Sequence, residues 1–178
     1  AAIVFAAGNV ALLLTEDRQG ARGLCEVCFR VGDGARIGRR LDRLAMDYVI
    51  AGTDPLAALG RSADQPLLRL APSAARGLGI SFIASDAAGA PVEPPPAGGR
   101  PRVTGLDHLV IASSDAVNTA FLLGARLGLD LRMDRSNPDW GARLLFFRCG
   151  DLVVDLFESL EQGASRQKAR KDEDGFYG

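Results

Sequence analysis

The sequence lacks an excess of charge of either sign. Lysine plus arginine number 21 and aspartate plus glutamate 22, so the formal net charge is -1. This balance gives no electrostatic basis for binding nucleic acid or an anionic membrane. No apolar run approaches the roughly 20 residues that a membrane-spanning helix needs. The composition therefore predicts that neither nucleic acid nor a membrane is a partner.

Cysteine and histidine are also scarce, with three and one residues. An odd number of cysteines does not make a disulfide framework, and this fits a reducing cytoplasm. Cys25 and Cys28 form a CxxC motif in a strand-like run, where residues three apart point to opposite faces. We therefore predict ordinary buried thiols here. Phosphate-binding glycine loops, Ser-His-Asp sets and zinc-finger spacings are all missing.

The chain opens without methionine, directly in an apolar strand-like run, and shows no signal peptide. We interpret the sequence as a fragment of a longer protein. Its 178 residues, 47 % hydrophobic and 24 % charged, are enough to bury a core in one ordinary domain or two small modules.

One stretch, residues 105–158, organises the chain. It opens with an alternating strand-like run around His108, and Asp115 then provides an N-cap for a helix-like run through Leu127. Three further strand-like runs follow, at 129–134, 143–148 and 152–157. The predicted order is strand, helix, strand, strand, strand.

This unit resembles the βαβββ module of the glyoxalase/bleomycin-resistance/extradiol-dioxygenase superfamily, also called the vicinal oxygen chelate superfamily. The pieces that carry the resemblance are LDHLVIASSD, GARLGLDL, NPDWG and LLFFRCGDLVVDLF. The resemblance implies an α+β fold in which paired βαβββ modules form a partly open mixed-sheet barrel. Here the first and last modules are expected to be incomplete.

The resemblance also implies a metal site. The family places a histidine on the first strand of the module, which falls on His108, and a glutamate on the last, which falls on Asp155. Glu158 is the fallback carboxylate. From the residues alone, other readings stay open: a packed core histidine, an aspartate turned to solvent on an edge strand, and a solvated strand end. The cofactor implied is a divalent ion, with Fe, Mn, Zn and Ni not distinguished.

An internal repeat extends the module pattern to the rest of the chain. Residues 3–14 align on 145–156, each as two strands joined by a tight turn at Gly8 or Gly150. Residues 24–31 align on 106–113, which places Glu26 on His108. Leu13 and Ala84 stand where the family would place metal-binding carboxylates, and neither side chain can bind a metal. Trp140, in the NPDWG turn, is predicted either to line the mouth of a pocket or to have only a packing role.

The predicted organisation follows from this repeat. Residues 1–85 form a first glyoxalase-like domain, with a partial module at 1–16 and a second module at 23–85, where 35–48 is helical and its four arginines are solvated. A Pro/Gly-rich linker spans 86–104, the organising module spans 105–160, and 161–178 is a charged tail, predicted to be mobile.

The first functional hypothesis is a divalent-metal-dependent enzyme acting on a small oxygenated metabolite, as a lyase, isomerase or dioxygenase. The alternative is a metal-free small-molecule-binding protein of the bleomycin-resistance type. A small molecule is the expected substrate or ligand, and a homodimer or the full-length protein is expected to bind metal better than this chain alone. Because one scaffold supports several reactions in this family, the fold does not decide between them.

Overall fold

The structure is a computed structural model that describes residues 2–7, 10–15, 23–52, 66–84, 105–160 and 174–177. Within these ranges the chain is α+β, as predicted, and no closed barrel is formed. Among the described residues no helix is long and apolar enough to cross a membrane. In chain order the elements are β1 Ala2–Ala7, β2 Val10–Thr15, β3 Glu26–Val31, α1 Gly34–Arg43, β4 Tyr48–Ala51, β5 Leu67–Leu70, β6 Gly79–Ala84, β7 His108–Ser113, α2 Ala116–Ala120 with a π-helical continuation Phe121–Arg126, β8 Asp130–Asn137, a 3-10 turn Pro138–Trp140, β9 Ala142–Cys149, β10 Leu152–Ser159 and β11 Gly175–Phe176.

The two larger sheets repeat one topology. The strand orders are β3-β6-β5-β4 and β11-β7-β10-β9-β8. In each, the first strand of the module pairs in parallel with its last, β3 with β6 and β7 with β10, and the remaining neighbours are antiparallel. The strand–helix–strands order predicted for both modules is therefore present.

The hairpins β1–β2 and β9–β10 share one register. Ala7 pairs with Val10, as Cys149 pairs with Leu152, so two residues connect the strands in both cases. Gly150 has a φ of 62°, in the left-handed region that glycine adopts without strain. This confirms the predicted turn there, while Gly8 lies outside the described residues.

A single buried cluster joins the two modules. Leu41 and Phe82 of the first belong to the same cluster as Ile111, Leu123 and Leu156 of the second. Both helices therefore contribute their apolar sides to one interior, which provides most of the burial that stabilises them. The predicted domain limits remain a prediction, and the expected linker at 86–104 lies outside the described residues.

The arginines of α1 were predicted to be solvated, and for Arg40 this is wrong. Its Nε donates to the Arg126 carbonyl oxygen at 2.7 Å and its Nη2 to that of Ala125 at 2.9 Å. These carbonyls belong to the last turn of the π-helical segment, where backbone acceptors lack partners within the helix. Arg40 thus caps the helix of one module from the helix of the other.

The first module departs from the sequence reading in two further places. The helix ends at Arg43 rather than at residue 48, because Ala45 turns the chain with a φ of 49° and β4 begins at Tyr48. Cys25 is exposed and precedes β3, so the prediction of a buried thiol is wrong for it, whereas Cys28 is half-buried.

The end of the charged tail was predicted to be mobile, and the structure corrects this for residues 174–177. Gly175 and Phe176 pair with the free edge of β7, and the Tyr177 N–H donates to the Val110 carbonyl. Asp174 is 7 % exposed. Composition alone missed this docking because the partners are distant in sequence.

Candidate functional site

The first and last strands of the second module, β7 and β10, alternate between two environments. Residues of one parity are buried under the helix, and residues of the other parity lie on a face that is exposed or half-buried. Because the strands pair in parallel with His108 beside Val153 and Val110 beside Asp155, both predicted ligands lie on this second face. We call it the ligand face.

His108 stands at the start of β7 with its side chain 53 % exposed, which excludes the packed-core reading. Its Nδ1 lies 3.1 Å from Oδ2 of the neighbouring Asp107. A carboxylate at Nδ1 favours the tautomer that leaves Nε2 with a free lone pair, the arrangement found behind many metal-binding histidines. Asp107 was not predicted as a partner of His108, although the sequence shows a carboxylate next to this candidate ligand.

Asp155 occupies the middle of β10, between Val110 on one side and Phe146 on the other. Since β10 lies between β7 and β9, the alternative of an edge-strand aspartate is wrong. Its Oδ1 is buried and has no hydrogen-bond partner among the described residues. Burial raises the pKa of this carboxyl, and the neighbouring His108 partly opposes the rise.

Strand geometry sets the separation of the two side chains. His108 is two residues before Val110, the partner of Asp155. With strands about 4.8 Å apart and a rise of about 3.3 Å per residue, their Cα atoms are roughly 8 Å apart. Imidazole and carboxylate arms on the same face can converge from that distance on one ion between them.

Glu158 does not join them, which corrects the fallback prediction. It is three residues from Asp155 and therefore faces the helix side of the sheet. Its Oε1 accepts from the Ala116 N–H at 3.0 Å, and its Oε2 is 3.9 Å from Arg143 Nη1. Glu158 supplies a carboxylate to the first turn of α2, where the helix dipole favours negative charge.

The residues on the ligand face fit part of a divalent-metal site. An imidazole and a carboxylate with an unpartnered buried oxygen are suitable ligands for a borderline metal ion. Catalytic sites normally supply about three protein ligands. Within the described ranges, no group of three or more His, Cys, Asp or Glu residues could hold a metal ion. The described chain thus offers two candidate ligands, fewer than such a site needs.

The equivalent position in the first module is closed by an ion pair. Glu26 stands where His108 stands, and both Glu26 carboxylate oxygens accept from Arg69, at 3.0 and 2.8 Å. Ser81 pairs with Cys28 as Asp155 pairs with Val110, so Ser81, rather than Ala84, marks the lost carboxylate. A guanidinium thus occupies this face of the first module.

Trp140, considered either as a packing residue or as a residue at a pocket mouth, is 70 % exposed in the 3-10 turn after β8. The packing role is therefore wrong.

The raised pKa of Asp155 predicts a stability effect. The folded protein holds this proton more tightly than the unfolded chain, so the free energy of unfolding falls as pH rises from 3.8 through the raised pKa. With a chelator present to remove metal ions, the free energy of unfolding of Asp155→Asn at pH 7 should exceed that of the wild type by up to about 1 kcal/mol. The gain is modest because the group is only half-buried. Urea unfolding between pH 7 and pH 4 should show that this difference in the free energy of unfolding becomes smaller as the pH falls. Asp139→Asn, at an exposed site, should unfold with the same free energy as the wild type across this range. A gap that widens on acidification would contradict the burial of Asp155.

No protein-family model matches the chain, and no curated protein matches it by sequence. Three solved structures illustrate what it is similar to. BphC, a halotolerant catechol dioxygenase, superposes with a TM-score of 0.53 and 12 % identity over 87 % of this chain and 56 % of that one. The fosfomycin resistance protein FosX from Listeria monocytogenes superposes with a TM-score of 0.41 and 14 % identity, over 82 % of this chain and 98 % of FosX. Methylmalonyl-CoA epimerase from Mycobacterium tuberculosis superposes with a TM-score of 0.36 and 25 % identity, over 41 % of this chain and 51 % of the epimerase.

The superposition on the catechol dioxygenase agrees with the repeated strand order of the two modules. The chain has the fold of the vicinal oxygen chelate superfamily. The resemblance found in the sequence is thereby confirmed at the level of the fold.

The vicinal oxygen chelate fold does not by itself assign a reaction, since it hosts more than one activity. The chain also spans only about half of the first two structures it matches, 54 % of a Bacillus halodurans protein and 51 % of the epimerase.

Proposed function

We propose that the chain is part of a divalent-metal-dependent enzyme that acts on a small oxygenated metabolite, as a lyase, isomerase or dioxygenase. His108 and Asp155 would hold the ion on the ligand face, with Fe, Mn, Zn and Ni all compatible with an imidazole and a carboxylate. A bound ion would supply positive charge that stabilises an oxyanion developing on the substrate. Asp107 would hold the His108 ring in the ligating orientation.

The observation that carries the proposal is the unpartnered Oδ1 of Asp155. A buried carboxylate oxygen without a partner loses its hydration and gains nothing in return. On the same strand, Glu158 has partners for both oxygens. Asp174 Oδ1 is also buried without a hydrogen-bond partner among the described residues, but the other oxygen of Asp174 is paired with Arg76. A cation held between Asp155 and His108 would offset the cost.

The missing ligands would come from a second copy of the chain or from a further module of a longer protein. Two protein ligands hold a divalent ion weakly, because catalytic sites generally use about three. We therefore propose a homodimer whose metal affinity rises with protein concentration.

A metal-free binding protein is the second candidate. The lack of a third ligand in the described part of the chain favours it, as does the Glu26–Arg69 pair that fills the equivalent face of the first module. In this case the ligand face would sequester a small molecule without chemistry.

Substitution of His108 separates the two candidates. His108→Ala should weaken Mn(II) binding by at least about 100-fold, because it removes one of two protein ligands, where even an outer-shell partner is worth 10–100-fold. The fold should persist, since a half-exposed side chain contributes little packing. Mn(II) binding can be followed by electron paramagnetic resonance and stability by urea unfolding.

Glu158→Gln is the matched control. Its side chain faces the helix, so the variant should bind Mn(II) like the wild type even if it unfolds more easily. If the wild type takes up no Mn(II) at any protein concentration, or if His108→Ala unfolds the protein while metal content is unchanged, the binding-protein function replaces the enzyme.

A further inference from the structure

A depression of about 370 Å³ lies on the sheet next to the ligand face. The residues that argue for its use are Arg132, Phe146, Arg148 and Val153, all of which line it. Val153 is the partner of His108 on one side and of Arg148 on the other. His108, Val153 and Arg148 therefore form one row across three neighbouring strands, on the same face as Asp155.

The row places a fixed positive charge at a defined distance from the proposed metal ligands. Two strand spacings of about 4.8 Å put the Cα atoms of His108 and Arg148 roughly 10 Å apart. The arginine side chain shortens the gap that a bound molecule would have to bridge. The volume is at the small end for ligand sites, which span about 300–1,000 Å³, and the depression is open to solvent.

Arg148 forms no ion pair within the described part of the chain. Its Nε donates to the Gly150 carbonyl at 3.2 Å, and no described carboxylate lies within ion-pair distance of its guanidinium. Arg132, by contrast, is paired with Asp130 at 2.7 Å. The two Nη nitrogens of Arg148 have no partner among the described residues and can bind a planar anion through two parallel hydrogen bonds, although Asp151 lines the same depression.

Between these two poles lies an apolar floor. Phe146 pairs with Asp155 across β9 and β10 and is half-buried on the ligand face. An aromatic side chain at this point offers a flat surface of low polarity to the body of a ligand. Polar contacts are thus expected at both ends of the ligand and apolar contacts in the middle.

We propose that the metabolite is a small organic carboxylate, with its carboxylate on Arg148, its apolar body on Phe146 and its adjacent oxygen atoms toward His108 and Asp155. This assignment of substrate class rests on the proposed function for the oxygen end alone. The carboxylate end rests on Arg148 and the depression, so the two ends can fail separately.

Three probes test it: catechol, protocatechuate (catechol with an added carboxylate) and benzoate (protocatechuate without its two hydroxyl groups). Calorimetric titration of the full-length protein with Mn(II) present should show protocatechuate binding at least about tenfold more tightly than catechol, because one charge-assisted hydrogen-bonded pair is worth about 1.4 kcal/mol or more. Arg148→Met should remove that advantage. Arg135→Met, which removes an exposed arginine outside the depression, should keep it.

The outcomes are distinguishable. Equal affinities for catechol and protocatechuate, an advantage that survives in Arg148→Met, or no binding of any probe would overturn the proposal. If benzoate and protocatechuate bind alike with and without Mn(II), and both depend on Arg148, the metal function fails while the carboxylate site stands. If both the metal site and the carboxylate site are correct, Asp155→Asn should also bind benzoate and protocatechuate alike, with and without Mn(II).

Discussion

Replacing Gly79 with alanine is expected to destabilise the protein by about 3 kcal/mol, a large loss for one methyl group. A Cβ at this position would lie 2.2 Å from the Cys25 carbonyl oxygen and 3.0 Å from the Glu26 Cα. Both obstacles are backbone atoms, and Gly79 pairs directly with Glu26 in the parallel β3–β6 ladder. Because no side-chain rotation relieves the clash, the two strands would have to separate where they meet.

Urea unfolding with an unchanged denaturant slope would measure the loss. Gly32→Ala is the matched control, since a Cβ there meets nothing within 4 Å and its stability should change by less than about 1 kcal/mol. If both variants unfold at the wild-type midpoint, the close approach of β6 to the start of β3 is incorrect. The first module would then lack the parallel pairing that makes it a repeat of the second.

Local signals in the sequence were enough to predict most of the second module. Alternating apolar residues predicted β7 and β10, the N-cap at Asp115 predicted the start of α2, and the Gly150-Asp151 pair predicted the turn of the hairpin. Each of these features depends on residues that are close in sequence. The structure adds the strand order, which depends on which strands lie side by side.

The candidate site was predictable to the same degree. The period of two along a strand places His108, which pairs with Val153, on the same face as Asp155, and it also excludes Glu158, three residues further on. Parity alone could therefore have rejected the fallback carboxylate. What parity could not give is the parallel pairing of His108 with Val153, because that contact joins two strands that are far apart in the sequence.

Contacts between the modules escaped prediction for a different reason. Arg40 was read as solvated because helical periodicity shows only that it lies away from the α1 core stripe. Its partners are carbonyls 85 and 86 residues further along the chain. Likewise, a charged tail is ordinarily disordered because it cannot bury enough apolar surface, and only a buried counter-charge supplied from elsewhere reverses that expectation for Asp174.

Asp174→Ala should cost about 3 kcal/mol of stability, because removing one partner of a buried ion pair leaves the other charge uncompensated. The Asp174 side chain is fully buried, its Oδ2 lies 2.9 Å from Arg76 Nε and 2.6 Å from the Thr119 hydroxyl, and its N–H donates to the Arg76 carbonyl. These contacts join the first module, α2 and the C-terminal strand. The variant should lower the urea midpoint and expose the Tyr177 amide, which now donates to Val110, to hydrogen exchange.

A double variant, Arg76→Met with Asp174→Leu, is the control that separates charge from packing. Replacing both partners with apolar side chains of similar size removes the buried charges together, so it should recover most of the stability lost in Asp174→Ala. Unchanged stability and unchanged Tyr177 exchange in Asp174→Ala would show that residues 174–177 do not dock. Loss of stability in both variants to the same extent would instead place the contribution in the hydrogen bond from Thr119 to Asp174, which neither variant can keep.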